Sequence, residues 1–215
     1  MTRLIVFDLD GTLVDSQRDL AESANQVLRE CGCPPHDEAA IGRMVGDGAA
    51  TLVARAFAEA RCPQPPAALE RFLAIYNNRL LECTRAYPGI PELLTALDWL
   101  ATLAVLTNKP LGPTRTILEG LGLAPHFGER VIGGDGPFPR KPDPAGLRHL
   151  IAKAGVEFST ALMVGDSAID WRTAHAASVR SCTVRYGFGF DGFPVDEATE
   201  RDAFIDAPAD LLGHL

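Results

Sequence analysis

A chain of 215 residues can bury a substantial core and lies between the usual sizes of one domain and two, which suggests a single core carrying an insert. Its 47% apolar and 22% charged residues, without repeats or low-complexity tracts, read as a soluble globular protein rather than a disordered or membrane-spanning one. The net charge of −8 leaves no basic footprint for nucleic acid or an anionic membrane, so an anionic ligand would need local positive groups or a cation.

The first element is the apolar run Leu4-Ile5-Val6, followed by Phe7-Asp8-Leu9-Asp10-Gly11-Thr12-Leu13, the pattern of a buried strand delivering a loop. Alternating side chains would put Asp8 and Asp10 on one side if the chain stays extended that far. Neighbouring carboxylates repel unless a cation lies between them or one holds a proton, and phosphoryl-transfer chemistry can use both solutions. A strand running into an Asx-rich turn would look the same at this point.

Helical spacing follows over residues 16–31, with Leu20, Ala24, Val27 and Leu28 on one face and Gly32 and Pro34 ending it. Residues 39–44, 49–60 and 67–81 continue as Ala- and Leu-rich helices, separated by Gly46-Asp47-Gly48 and Pro63-Gln64-Pro65-Pro66. This predicts a helical insert over 16–85, with 1–15 and 86–215 forming the core. From Tyr87 onward strands alternate with helices, the signature of a parallel sheet. Strands are expected at 103–107, 130–132, 161–164 and 181–184, with a further edge strand at 203–205. Helices are expected at 114–121, 144–154, 169–177 and from Pro208. Cys31, Cys33, Cys62, Cys83 and Cys182 are odd in number, with no leader segment before them, and read as ordinary thiols of a cytoplasmic protein.

In an open parallel sheet, ligands bind beyond the carboxyl ends of the strands. Those ends carry Asp8 and Asp10, Thr107-Asn108-Lys109, Arg140-Lys141-Pro142 and Gly165-Asp166-Ser167, a concentration of phosphate- and metal-compatible groups. Thr107 and Asn108 offer uncharged hydrogen bonds to phosphate oxygens, although Asn108 also suits a helix cap. Lys141, one of only three lysines, is held extended by the following proline and could neutralise a transferring phosphoryl group; a solvated surface lysine is the alternative. Asp166 and Asp170 stand four apart at a helix start, where acids also serve the helix dipole.

The run from Asp8 to Thr12 resembles the first motif of the haloacid dehalogenase superfamily, Asp-x-Asp-x-Thr after a hydrophobic strand. Thr107-Asn108-Lys109-Pro110, Lys141-Pro142-Asp143-Pro144 and Gly165-Asp166-Ser167-x-x-Asp170 are similar to its second, third and fourth motifs, as in phosphoglycolate-phosphatase-like members. The resemblance implies an α/β Rossmann-like core with a helical cap and Mg²⁺-dependent hydrolysis of a phosphate monoester through an aspartyl-phosphate. By it, Asp8 is nucleophile and metal ligand, Asp10 general acid and base with its carbonyl on the metal, and Asp166 a direct ligand. Asp170 would act through water or by orienting Lys141, while Thr107, Asn108 and Lys141 would hold phosphate.

The segment from Gly42 to Arg55 resembles the specificity loop of phosphoglycolate phosphatases, which implies 2-phosphoglycolate as substrate with Arg43 or Arg55 on its carboxylate. Phosphatases of sugar or other metabolite phosphates and a sugar phosphomutase share the four motifs and stay open. Asp10 argues against a dehalogenase proper, the absence of lysine from 16–85 against phosphonate hydrolysis, and the retention of all four motifs against a non-catalytic scaffold. The expected partner is a small phosphorylated metabolite, met by a monomer or homodimer. Two departures touch turn geometry alone: no glycine stands in 98–102, and Ser178 occupies a position where relatives carry glycine.

Overall fold

A computed structural model describes residues 3–215, so the first two residues of the expected core segment 1–15 lie outside it. Strand β1 (Leu4–Phe7) sits at the centre of a six-stranded parallel sheet with β4 (Thr102–Leu106), β5 (Val131–Ile132), β6 (Ala161–Gly165), β7 (Arg180–Val184) and β8 (Asp202–Ile205), in the order β5-β4-β1-β6-β7-β8. β1 pairs with β4 on one side, Leu4 opposite Thr102, and with β6 on the other, Leu4 opposite Ala161. Strand order reverses between β1 and β6, and the carboxyl ends there open a crevice.

Alternation along β1 divides the core. Leu4 and Val6 face helices α8 (Ala145–Ala154) and α9 (Ala168–Ala177), meeting Leu147, Ile151 and Ala174. Ile5 and Phe7 face the opposite layer, where α5 (Ile90–Leu97), α6 (Leu111–Gly120) and α7 (Ala124–Phe127) contribute Leu94, Ile117 and Phe127. All four β1 side chains are almost wholly buried, and each contributes about 2 kcal/mol of transfer free energy, so the strand that carries the first acids is firmly held.

Between β1 and α5 the chain makes a two-strand antiparallel ribbon, β2 (Val14–Asp15) with β3 (Arg85–Ala86). The helices α1 (Gln17–Glu30), α2 (Glu38–Gly42), α3 (Ala49–Glu59) and α4 (Ala68–Asn77) lie between its strands. Apolar faces join them: Leu20, Val27, Val53, Phe57 and Phe72 are all buried. Asp19 of α1 is wholly buried and accepts from the Cys83 and Thr84 backbone N–H groups and the Thr84 hydroxyl at 2.8–2.9 Å, tying α1 to the chain that leaves the helices.

Several expectations are revised. The helix expected over 67–81 ends at Asn77, and that expected from Thr114 begins at Leu111. The last helix is a 3₁₀ helix, Pro208–His214. Helix α5 is masked in the sequence by Pro88, Gly89 and Pro91, although proline in a first turn is compatible with a helix start. The thiols are not all free, because the turns after α1 and α3 bring Cys33 and Cys62 together as a disulfide with Cα atoms 6.2 Å apart; Cys31, Cys83 and Cys182 remain free. Among the described residues, no helix is long and apolar enough to cross a membrane.

Candidate active site

The chain leaves β1 through a tight turn in which the Leu9 carbonyl accepts from the N–H groups of Leu13 and Val14 at 2.9 and 3.1 Å. Gly11 takes φ +84°, and a Cβ there would collide with the Asp166 carboxylate, so the turn presses its backbone against that acid. Asp8 and Asp10 therefore both reach the crevice, but each engages a different lysine.

Asp8 lies 2.8 Å from Lys141, whose ammonium also donates to Asp170 at 2.6 Å, and all three side chains are buried. Burial works against the Lys141 charge, yet Asp170 and Asp8 outweigh it and hold the pKa above its ordinary value. The second Asp170 oxygen accepts from the Ser167 hydroxyl and backbone N–H, capping α9. The helix-start acid and the site acid are thus one group, which caps α9 with one oxygen and aims Lys141 with the other.

Asp8, Asp166 and Asp170 each present a carboxylate oxygen, all within 4.8 Å of one another. Burial pushes the Asp8 pKa up to about 6 against the pull of Lys141, and burial, with Asp170 and Asp8 adding to it, raises Asp166 well above the ordinary value. Three buried acids that one lysine does not balance form an oxygen donor set that suits a hard divalent cation such as Mg²⁺.

Thr107 is buried at the end of β4, and its hydroxyl accepts from the Lys109 backbone N–H at 3.2 Å while keeping its own proton to donate. The Asn108 amide is placed otherwise than expected. It donates to the carbonyls of Gly46 and Lys141 and accepts from the Lys141 N–H, so backbone groups use it and it clasps the α2–α3 loop to the Lys141 segment.

Neither Arg43 nor Arg55 lies against the cavity that contains these acids. Arg43 is exposed, and Arg55 is drawn to Asp47 at 2.6 Å and to the Met44 carbonyl at 3.1 Å. The cation that does line it is Lys109, to which the sequence motif by itself assigns no role. Lys109 is buried and donates to both oxygens of Asp10 at 2.9 and 2.8 Å. Ser16, at the start of α1, adds a hydroxyl bond to Asp10 at 2.6 Å. A further part that the motifs do not include is the loop after β7, where the Gly189 N–H donates to Asp166 at 2.7 Å and a Cβ on Gly187 or Gly189 would press on that carboxylate. The spacing Gly187-Phe188-Gly189, separated from the end of β7 by two residues, is the signal that could have found it.

A parallel sheet with helices on both faces, a helical insert after the first strand, and buried acids and lysines at its carboxyl edge define an α/β enzyme with its site at the switch point of the sheet. The model of the family described as haloacid dehalogenase-like hydrolase matches residues 5–184, and this chain belongs to that family. It is 48% identical over 197 residues to a phosphoglycolate phosphatase of Rhodospirillum rubrum, covering 87% of this chain and 81% of that protein. A phosphoglycolate phosphatase of Pseudomonas putida is 37% identical over 222 residues, covering 99% and 80%. A crystal structure from Haemophilus somnus, described as a predicted phosphoglycolate phosphatase, superposes with a TM-score of 0.90 at 32% identity, covering 99% of this chain and 97% of that one. A haloacid dehalogenase-like protein from Streptococcus pneumoniae shares the fold at a TM-score of 0.85 and 20% identity.

Proposed function

We propose that this chain is a Mg²⁺-dependent phosphatase that hydrolyses 2-phosphoglycolate through an aspartyl-phosphate on Asp8. The observation that carries the reading is the position of Asp8, buried at the strand end between Lys141 and the acids Asp166 and Asp170. The similarity to phosphoglycolate phosphatases over most of the chain supports the substrate.

Asp8, Asp166 and the Asp10 carbonyl would hold the cation, with Asp170 behind Lys141 or reaching the metal through water. Bound there, Mg²⁺ supplies positive charge for the phosphoryl oxygens. Asp8 attacks phosphorus, Asp10 gives its proton to the leaving alkoxide, and the same carboxylate then takes a proton from the water that hydrolyses the phosphoryl-enzyme. Lys141 and Thr107 hold phosphoryl oxygens, and Asn108 keeps Lys141 in place. Residues 1–15 and 86–215 form the core and 16–85 the cap, which closes over the site about the β2–β3 ribbon. A cytoplasmic location belongs to the same proposal.

A panel of small phosphorylated metabolites assayed with Mg²⁺ tests the reading. Phosphoglycolate should give the highest kcat/KM, and a sugar phosphate ranking first would replace it as substrate.

A further inference from the structure

The cap side of the cavity is apolar, walled by Leu20, Leu52, Phe72 and Leu73, with one exception. Tyr76 of α4 also lines the cavity; it is 3% exposed, and its hydroxyl has no hydrogen-bond partner. Its ring stacks on Phe72 at 5.7 Å, and the Lys109 ammonium lies 4.6 Å from the ring centroid. A buried hydroxyl is costly to leave unpaired, so an orphan on a cavity wall is a candidate contact for whatever enters. Among the described residues lining the cavity, Lys109 is the one cation, and it sits between Tyr76 and Asp10.

This arrangement answers a problem that the arginines do not. A leaving group that carries a carboxylate must come within reach of Asp10, which becomes an anion once it has given up its proton, and two anions there would repel unless a cation separates them. Phosphate is provided for by Lys141, Thr107 and the acidic metal-binding set, on the core side. The second anion is left with the Tyr76–Lys109 pair.

We infer that Tyr76 and Lys109 form the subsite for the carboxylate of the leaving group, the Tyr76 hydroxyl donating to it and the Lys109 ammonium lying between it and Asp10. The inference rests on the substrate reading above and names the residues that recognise that substrate. One partner comes from a cap helix and the other from the loop after β4, so the carboxylate bridges the two parts of the chain as it binds. A pocket with buried donors for an anion discriminates strongly against an analogue that lacks it, because the donors are then left unpaired.

The test compares 2-phosphoglycolate with ethyl phosphate, which replaces the carboxylate by a methyl group, on the Mg²⁺-loaded full chain. Tyr76→Phe keeps the ring on Phe72 and beside Lys109 and removes the hydroxyl alone. The ratio of kcat/KM for phosphoglycolate to that for ethyl phosphate should fall by about tenfold or more in the variant, chiefly through a higher KM for phosphoglycolate. A ratio within about twofold of wild type overturns the inference. If wild type shows no preference for phosphoglycolate over ethyl phosphate, the substrate reading has failed first, and the subsite falls with it. A measurement independent of the variant's folding is competitive inhibition of wild type by 3-phosphonopropionate and by propylphosphonate. The carboxylate-bearing compound should bind about tenfold tighter or more, and equal inhibition constants overturn the subsite.

Discussion

Asp8 and Asp10 lie two residues apart on one turn and receive different lysines, and this separates their roles. Asp8 meets Lys141, itself aimed by Asp170 and by the bond that its own backbone N–H donates to Asn108. Asp8→Asn keeps the shape of the side chain and, on the proposed mechanism, removes the nucleophile, so kcat should fall by about 10⁴-fold or more with an unchanged circular dichroism spectrum. A variant that keeps wild-type turnover would remove Asp8 from that role. Gly11→Ala tests the close approach from the other side. The added Cβ meets the Asp166 carboxylate, and the φ of +84° disfavours any side chain, so both Mg²⁺ affinity and turnover should drop sharply in a metal titration followed by activity.

At the scale of elements, α9 ends on a residue that the backbone disfavours. Ser178 adopts φ +61°, ψ +33°, is exposed, and holds the left-handed turn that leads to β7 without any side-chain hydrogen bond to compensate. Ser178→Gly should stabilise the protein by about 1 kcal/mol in urea unfolding, because the left-handed region costs an L side chain about that much. The other departure noted in the sequence behaves differently: the turn after α5 closes through the Leu97 carbonyl, which accepts from Leu100 and Ala101, and no left-handed residue is needed. At the base of the helical insert, Asp19→Ala would leave the part-buried Cys83 N–H and the buried Thr84 N–H without partners. A loss of about 3 kcal/mol is expected, read as a lowered midpoint of chemical unfolding.

At the scale of the whole molecule, the buried acids tie stability to pH and to the cation that the proposed function calls for. Burial raises the Asp8 pKa to about 6 against an ordinary 3.8, so the folded state binds that proton more tightly than the unfolded state does. Its contribution to stability is therefore fully present below about pH 4 and is lost as the pH rises through about 6, amounting to about 3 kcal/mol. Asp166 shifts in the same direction. A cation offsets this penalty where the acids are ionised. Mg²⁺ should accordingly raise the melting temperature by several degrees near pH 7.5 and by much less near pH 5, with EDTA reversing the effect. Equal shifts at both pH values in a thermal melt would count against these acids as the binding set.

Much of this molecule is legible in its sequence because the signals are local. A β-branched run buried on both faces announces a central parallel strand, and the acids, glycines and prolines that follow such strands announce a site. The alternation of strands with helices from β4 onward, the helices of the insert and all four motifs belong to this class, since each depends on neighbours within one turn or one strand. What the sequence could not decide depends on groups far apart in the chain. The β2–β3 ribbon pairs Val14 with Ala86, two-residue strands with no pattern of their own. Cys33 meets Cys62 because two helix ends converge. Arg55 is turned away from the cavity by Asp47, and Lys109 is turned into it by Asp10, 99 residues distant. Charge and residue type are written in the sequence, but which charge a lysine or arginine meets is set by packing, and packing alone placed Lys109 and Tyr76 on the wall of one cavity.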